Sequence, residues 1–175
     1  MRKLLLLLMT LIAPAATPTD TPSALHGMAA VKAVEALEGR RMSLAEKRVI
    51  LEEGYVYGPY FDTKGNLTSG VGQTGAFRGM SFSETFIHHS LRASLRFPRW
   101  EEYTEELQAE LIVAEYRGDL GHSPRTLRLI NEERWRGASV EFLRHDEYNR
   151  AGTSLGVKRR LERLSEMLLK QEVNS

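Results

Sequence analysis

Three side chains in a short stretch carry the chemistry of this chain: Glu53, Asp62 and Thr68. Glu53 falls at the expected end of a helix. There the negative end of the dipole and partial burial both disfavour a carboxylate anion, the direction a general acid needs. Asp62 precedes the turn Thr63-Lys64-Gly65-Asn66, a wetter, hydrogen-bonding setting that keeps a carboxylate ionised. Two carboxylates in opposed environments are the pattern that cleaves a glycosidic bond. Thr68 joins them only if the hairpin register allows it. A five-residue connection sets Asp62 opposite Thr68 with both side chains on one face; a four-residue connection turns Thr68 away, because side-chain direction alternates along a strand. Taken singly, each residue has an ordinary explanation: a solvated helix carboxylate, a turn former and a β-branched strand residue.

The elements that must position these residues are mostly helical. Ser43-Leu44-Ala45-Glu46 fits a capping box and predicts a helix over Leu44–Glu53, stopped by Gly54. An earlier helix, Ala29–Glu38, stops at Gly39. Tyr55–Val71, rich in Tyr, Val, Phe and Thr around a Gly-containing turn, reads as one hairpin. A second capping box, Ser81 to Glu84, opens a helix to Arg96. Further helices are expected over Glu105–Arg117, from Ser123-Pro124 through Ile130, over Ala138–Leu143 and over Val157–Lys170. The last shows Val157, Leu161, Leu164 and Leu168 at helical spacing. The expected fold class is therefore α+β, mainly α, with a small β-hairpin subdomain beside a helical bundle and a cleft between them.

The arithmetic of the whole chain bounds the function. It has 175 residues, 24 Lys+Arg, 23 Asp+Glu and no cysteine. That length suits one domain. A net charge of +1 argues against nucleic acid as the partner. Without cysteine there is no disulfide, thiolate metal site or cysteine nucleophile. Arg2-Lys3, the apolar run Leu4–Ile12 and Ala13-Pro14-Ala15 are the parts of a secretory signal. The run is shorter than the roughly 20 apolar residues that span a bilayer; an uncleaved anchor is the alternative. The expected organisation is a signal peptide or anchor over 1–15, a Pro/Thr linker over 16–27 and a folded domain over 28–175. Removing the leader takes two bases and leaves a charge of −1. Charge is also uneven along the chain: residues 100–119 hold seven acids and one base, Arg117.

The spacing Glu53-Gly54, then Tyr60-x-Asp62-x-x-Gly65-x-x-Thr68-x-Gly70-x-Gly72-x-Thr74, resembles the signature of phage-type lysozymes (glycoside hydrolase family 24). Gly156-Val157-Lys158-Arg159-Arg160 is similar to that family's C-terminal Gly-Leu-x-x-Arg-Arg helix start, and Thr126-Leu127 with Ile130-Asn131 resembles its central Ser-Thr-Leu segment. The likeness covers roughly residues 44 to 170. Two departures stand out: Gln73 where many members carry His, and Glu115-Tyr116-Arg117-Gly118-Asp119 in place of Phe-Asn-x-Gly. The resemblance implies a lysozyme-like fold and a muramidase that cuts peptidoglycan between N-acetylmuramic acid and N-acetylglucosamine with inversion. In that reading Glu53 protonates the leaving oxygen, and Asp62 with Thr68 activates a water. Tyr60 and Gln73 are candidate substrate-binding positions. No cofactor or metal is expected, and the protein is expected to be a monomer that meets a membrane only through its leader and is exported to a host periplasm for lysis. The alternatives are a virion-carried wall hydrolase and a non-catalytic wall-binding module on the same fold. Trp100 and Trp135 are read as packing residues, and His88-His89 as adjacent rings facing different ways.

Overall fold

The computed structural model describes residues 23–62 and 65–174. The expected leader over 1–15, most of the linker, and Thr63-Lys64 lie outside the described residues. Strand β1 (Ala24–Leu25) leads into helix α1 (Met28–Glu38) and then α2 (Leu44–Glu53). The capping box at the start of α2 is formed: Glu46 N donates to Ser43 Oγ at 3.3 Å and Ser43 N donates to Glu46 Oε2 at 2.8 Å. Gly54 follows, its N–H donating to Ile50 O, and the chain turns into the sheet.

The sheet has four antiparallel strands in sequence order, β1, β2 (Tyr55–Phe61), β3 (Leu67–Gly70) and β4 (Gln73–Thr74). The expected single hairpin is thus flanked on both sides. Ala24 pairs with Val56 and Leu25 with Tyr55, so the last residues assigned to a linker are an edge strand of the folded domain. Across β2 and β3, Tyr60 pairs with Thr68 and Phe61 with Leu67, after a register shift between Val56 and Tyr60.

After the sheet, α3 (Phe82–Arg96), opened by the expected Ser81–Glu84 box, leads to α4 (Glu105–Tyr116). Then come α5 (Pro124–Asn131), α6 (Trp135–Phe142), the short α7 (Asp146–Asn149) and the long α8 (Leu155–Asn174). Helix α6 begins three residues before its expected start, and α8 runs past its expected end on both sides. Trp135, 5% exposed, packs edge-on against Tyr103 at 5.5 Å between centroids. Trp100 is half-buried against Phe97 and Tyr103.

Helix α4 is the spine of the molecule. Leu107, Leu111 and Ala114 face one apolar core, with Leu120, Ile130, Phe142, Leu161, Leu164 and Leu168 of the helical lobe. Ile112 and Val113 face a second core, with Val31, Val34, Val49, Ile50, Val71 and Phe82 of the sheet lobe. A helix that serves two cores needs apolar residues on two of its sides. Each such Leu or Ile contributes about 1.5–3 kcal/mol by leaving water. The buried charges on this spine, Glu110 and Glu115, are paired. Glu110 meets both Arg48 of α2 and Arg163 of α8, and Arg163 also reaches Glu52. Glu115 is bracketed by Arg92 at 3.1 Å and Arg96 at 2.8 Å from α3.

Candidate active site

The site forms where the end of α2, the β2–β3 turn, the β3–β4 turn and the end of α4 converge. Glu53 is the last residue of α2, as expected, and its side chain is about one-fifth exposed. A cation meets it where only a helix end was anticipated: Arg117 Nη1 donates to Glu53 Oε1 at 2.5 Å. The carboxylate's other oxygen, Oε2, lies over Gly72. A Cβ built on that glycine would sit 3.0 Å from Oε2, and its φ of +69° is one that L side chains rarely adopt. Tyr116, beside Arg117, donates from its hydroxyl to Val71 O at 2.7 Å and so ties the β3–β4 turn to α4. Burial pushes the Tyr116 phenol well above its ordinary pKa, and the charge of Glu53 adds to that.

Asp62 closes the β2–β3 turn and is bound to Asn66 on three atoms. Asp62 N donates to Asn66 O at 2.9 Å; Asn66 N donates to Oδ1 at 2.8 Å and Asn66 Nδ2 to Oδ2 at 3.0 Å. The hydrogen-bonded carboxylate setting expected for Asp62 is present. The register is not the expected one. Thr68 stands opposite Tyr60, and Asp62 stands opposite Asn66, because the connection (63–65) is two residues shorter than the five anticipated. Two residues is one full period of the strand, so Asp62 and Thr68 still share a face, as diagonal neighbours and not as a directly opposed pair.

Thr68 is 2% exposed, and its hydroxyl donates to Asn66 O at 3.0 Å. Asn66 thus stands between Asp62 and Thr68 and bonds both. Tyr60 is half-buried: burial raises its phenol pKa, and the charges of Glu53 and Asp62 push in the same direction. Gln73 does not present its amide to a ligand. It is 4% exposed; Nε2 donates to Met80 O at 2.7 Å, Ser81 O at 3.2 Å and Thr85 Oγ1 at 3.1 Å, and Oε1 accepts from Val71 N at 3.1 Å. That amide is a brace between the β3–β4 turn and the start of α3.

The structure therefore joins Asp62 and Thr68 through Asn66, pairs Tyr60 with Thr68 across the strands, gives Glu53 a partner in Arg117, and turns Gln73 inward. Arg117, Asn66, Tyr116 and Gly72 stand in the motifs quoted from the sequence, but their roles emerge only from the structure. Arg117 had a signal, as the single base among seven acids in residues 100–119. A cavity of about 550 Å³ adjoins the site on the helical side, lined by Arg117, Asp119, Arg125, His145, Glu147 and Arg150 among others. His88 and His89 do not point apart: both rings meet Phe77, with centroids at 4.9 and 4.7 Å.

No protein-family model matches the sequence, and no curated protein matches it. Among solved structures, the chain is similar to the active form of the P1 phage endolysin Lyz. The TM-score is 0.58 at 15% identity, over 87% of this chain and 99% of that one. The two chains share a fold, mainly helical with a small antiparallel sheet. A small antiparallel sheet beside a helical lobe is the architecture expected from the sequence.

Proposed function

We propose that this protein is a phage endolysin: a peptidoglycan muramidase that hydrolyses the β-1,4 bond between N-acetylmuramic acid and N-acetylglucosamine, with inversion. The observation that carries the reading is a pair of carboxylates in unlike settings, Glu53 with Oε1 held by Arg117 and Asp62 held at both oxygens by Asn66. One carboxylate ends a helix and the other is fixed in a turn. The likeness to a phage endolysin supports the same reading.

In this mechanism Arg117 engages Oε1 of Glu53, leaving Oε2, over Gly72, to carry the proton to the leaving glycosidic oxygen. Asp62 takes a proton from a water on the opposite face of the sugar. Asn66 holds the Asp62 carboxylate at both oxygens, and Thr68 fixes the Asn66 carbonyl from behind. Thr68 thus serves Asp62 through Asn66. Acid–base assistance of this kind contributes about 10²–10⁴-fold, and charge stabilisation of the oxocarbenium-like transition state supplies much of the rest. The leader over 1–15 would export the enzyme to the host periplasm, where its substrate lies.

The test uses purified residues 16–175 and the Glu53→Gln variant on isolated peptidoglycan, with mass analysis of the products. Reducing muramic ends from the wild type, absent with Glu53→Gln, are the expected result. Anhydro-muramic ends would instead identify a lytic transglycosylase, and no product from either protein would favour a wall-binding module. A freshly formed α-anomer at the reducing end would establish inversion.

A further inference from the structure

A row of alternating charge runs from Glu53 into the helical lobe. Arg117 uses Nη1 on Glu53 Oε1. The Nε of the same guanidinium is sealed from solvent without a hydrogen-bond partner, 3.9 Å from Asp119 Oδ2. Arg160 approaches that oxygen from the other side. Its Nε is likewise sealed and unpartnered, at 3.9 Å, while its Nη2 reaches Glu147 at 3.4 Å. Asp119 and Arg160 are each 6% exposed. The order is Glu53, Arg117, Asp119, Arg160, Glu147.

We propose that Asp119 is a positioning residue for Glu53, acting through Arg117. A buried carboxylate needs a charged partner, and a buried N–H needs an acceptor; both requirements are met when Oδ2 closes on the two Nε–H groups. Burial pushes the Asp119 carboxyl above its ordinary pKa, and Arg117 and Arg160 pull against that. Arginine is suited to the task because its planar fork presents Nε and Nη donors in fixed directions, so one end can be anchored while the other works. Anchored at Asp119, Arg117 presents Nη1 at one place and holds Oε1 of Glu53 there. Released from Asp119, its long side chain is free to swing into the adjoining cavity, and the catalytic carboxyl loses its support. Asp119 itself touches no substrate in this role. The inference rests on the muramidase reading, in which Glu53 is the acid.

The experiment compares Asp119→Asn, Arg117→Met and the double variant for turnover of isolated peptidoglycan. Alongside, the Arg117 Nε–H signal is followed by nitrogen-15 NMR, assigned by its absence in Arg117→Met. Asp119→Asn should lower kcat by about 10- to 100-fold, the scale of a small misplacement of a catalytic group, with KM within about twofold. The double variant should be no slower than Arg117→Met alone, because both substitutions break one link. The Nε–H signal, protected in the wild type, should disappear in Asp119→Asn.

Independent, additive losses, a full kcat in Asp119→Asn, or an unchanged Nε–H signal would overturn the proposal. So would a lowered Tm with kcat intact, the mark of a merely structural carboxylate. Arg117→Lys supplies a second route that does not depend on Asp119→Asn folding: it keeps the charge but cannot span both carboxylates, and a Lys variant at full kcat overturns the proposal as well. A wild type without muramidase products would refute that reading and remove Asp119's catalytic role with it. The NMR comparison would still report whether Asp119 holds Arg117.

Discussion

Gly72→Ala tests whether the Glu53 carboxylate must occupy its observed position. The substitution has two consequences that differ in kind. The backbone at +69° is a left-handed conformation that costs an L residue about 1–2 kcal/mol. The new Cβ would also lie 3.0 Å from Oε2, closer than ordinary contact, so the carboxylate must move by a few tenths of an ångström or more against its tether to Arg117. Gly39→Ala separates the two effects. Gly39 also sits at positive φ, +67°, but a Cβ there meets nothing within 4 Å. Both variants should lose about 1–2 kcal/mol in urea unfolding, equivalent to roughly 2–8 °C in Tm for a chain of this size. Gly39→Ala should keep the wild-type kcat on peptidoglycan, whereas Gly72→Ala should lose about 10- to 100-fold. Equal kcat in the two variants would refute the reasoning, because stability would then be the only property that the carboxylate's neighbour controls.

Two further outcomes are expected. Asn66→Ala removes the amide that holds Oδ2 of Asp62 and should lower kcat by about tenfold with little change in KM; unchanged kcat would show that Asp62 needs no side-chain brace. His89 is buried, and burial, with His88 beside it, depresses its pKa from an ordinary 6.5 to about 4. Between those values the unfolded chain binds a proton that the folded one does not, so stability should fall as pH is lowered from 6.5 towards 4. His89→Phe should flatten that part of the stability curve in urea unfolding measured from pH 4.5 to 7.5. An identical slope in both proteins would assign the dependence to other groups.

How much of this was legible in the sequence depended on the range of the interaction. Helix α2 was readable to the residue because Ser43, Glu46 and Gly54 write its ends locally. Strands β1 and β4 are two residues each and exist only through pairing with a neighbour, so no local pattern announces them. The register of Asp62 was set by a short turn and by the irregularity between Val56 and Tyr60, which alternation alone does not reveal. The ion pair of Glu53 with Arg117 spans 64 positions; the lone base in an acidic stretch marks Arg117, but nothing local says which carboxylate it meets. Gln73 stands in the signature where many members carry His, which makes it a candidate ligand contact; burial turns its amide inward, where four internal hydrogen bonds use it.

Helix α4 belongs to both cores, and this bears on how the molecule can be rebuilt. A chimera that exchanges the sheet lobe for that of another enzyme inherits one side of α4 matched and the other mismatched, wherever the junction falls. Ile112 and Val113 would meet a foreign surface if α4 stays with the helical lobe; Leu107, Leu111 and Ala114 would do so if it leaves. Modular exchange therefore has no clean seam here, and a new specificity on this scaffold is better sought in side chains around the candidate site than by transplanting halves.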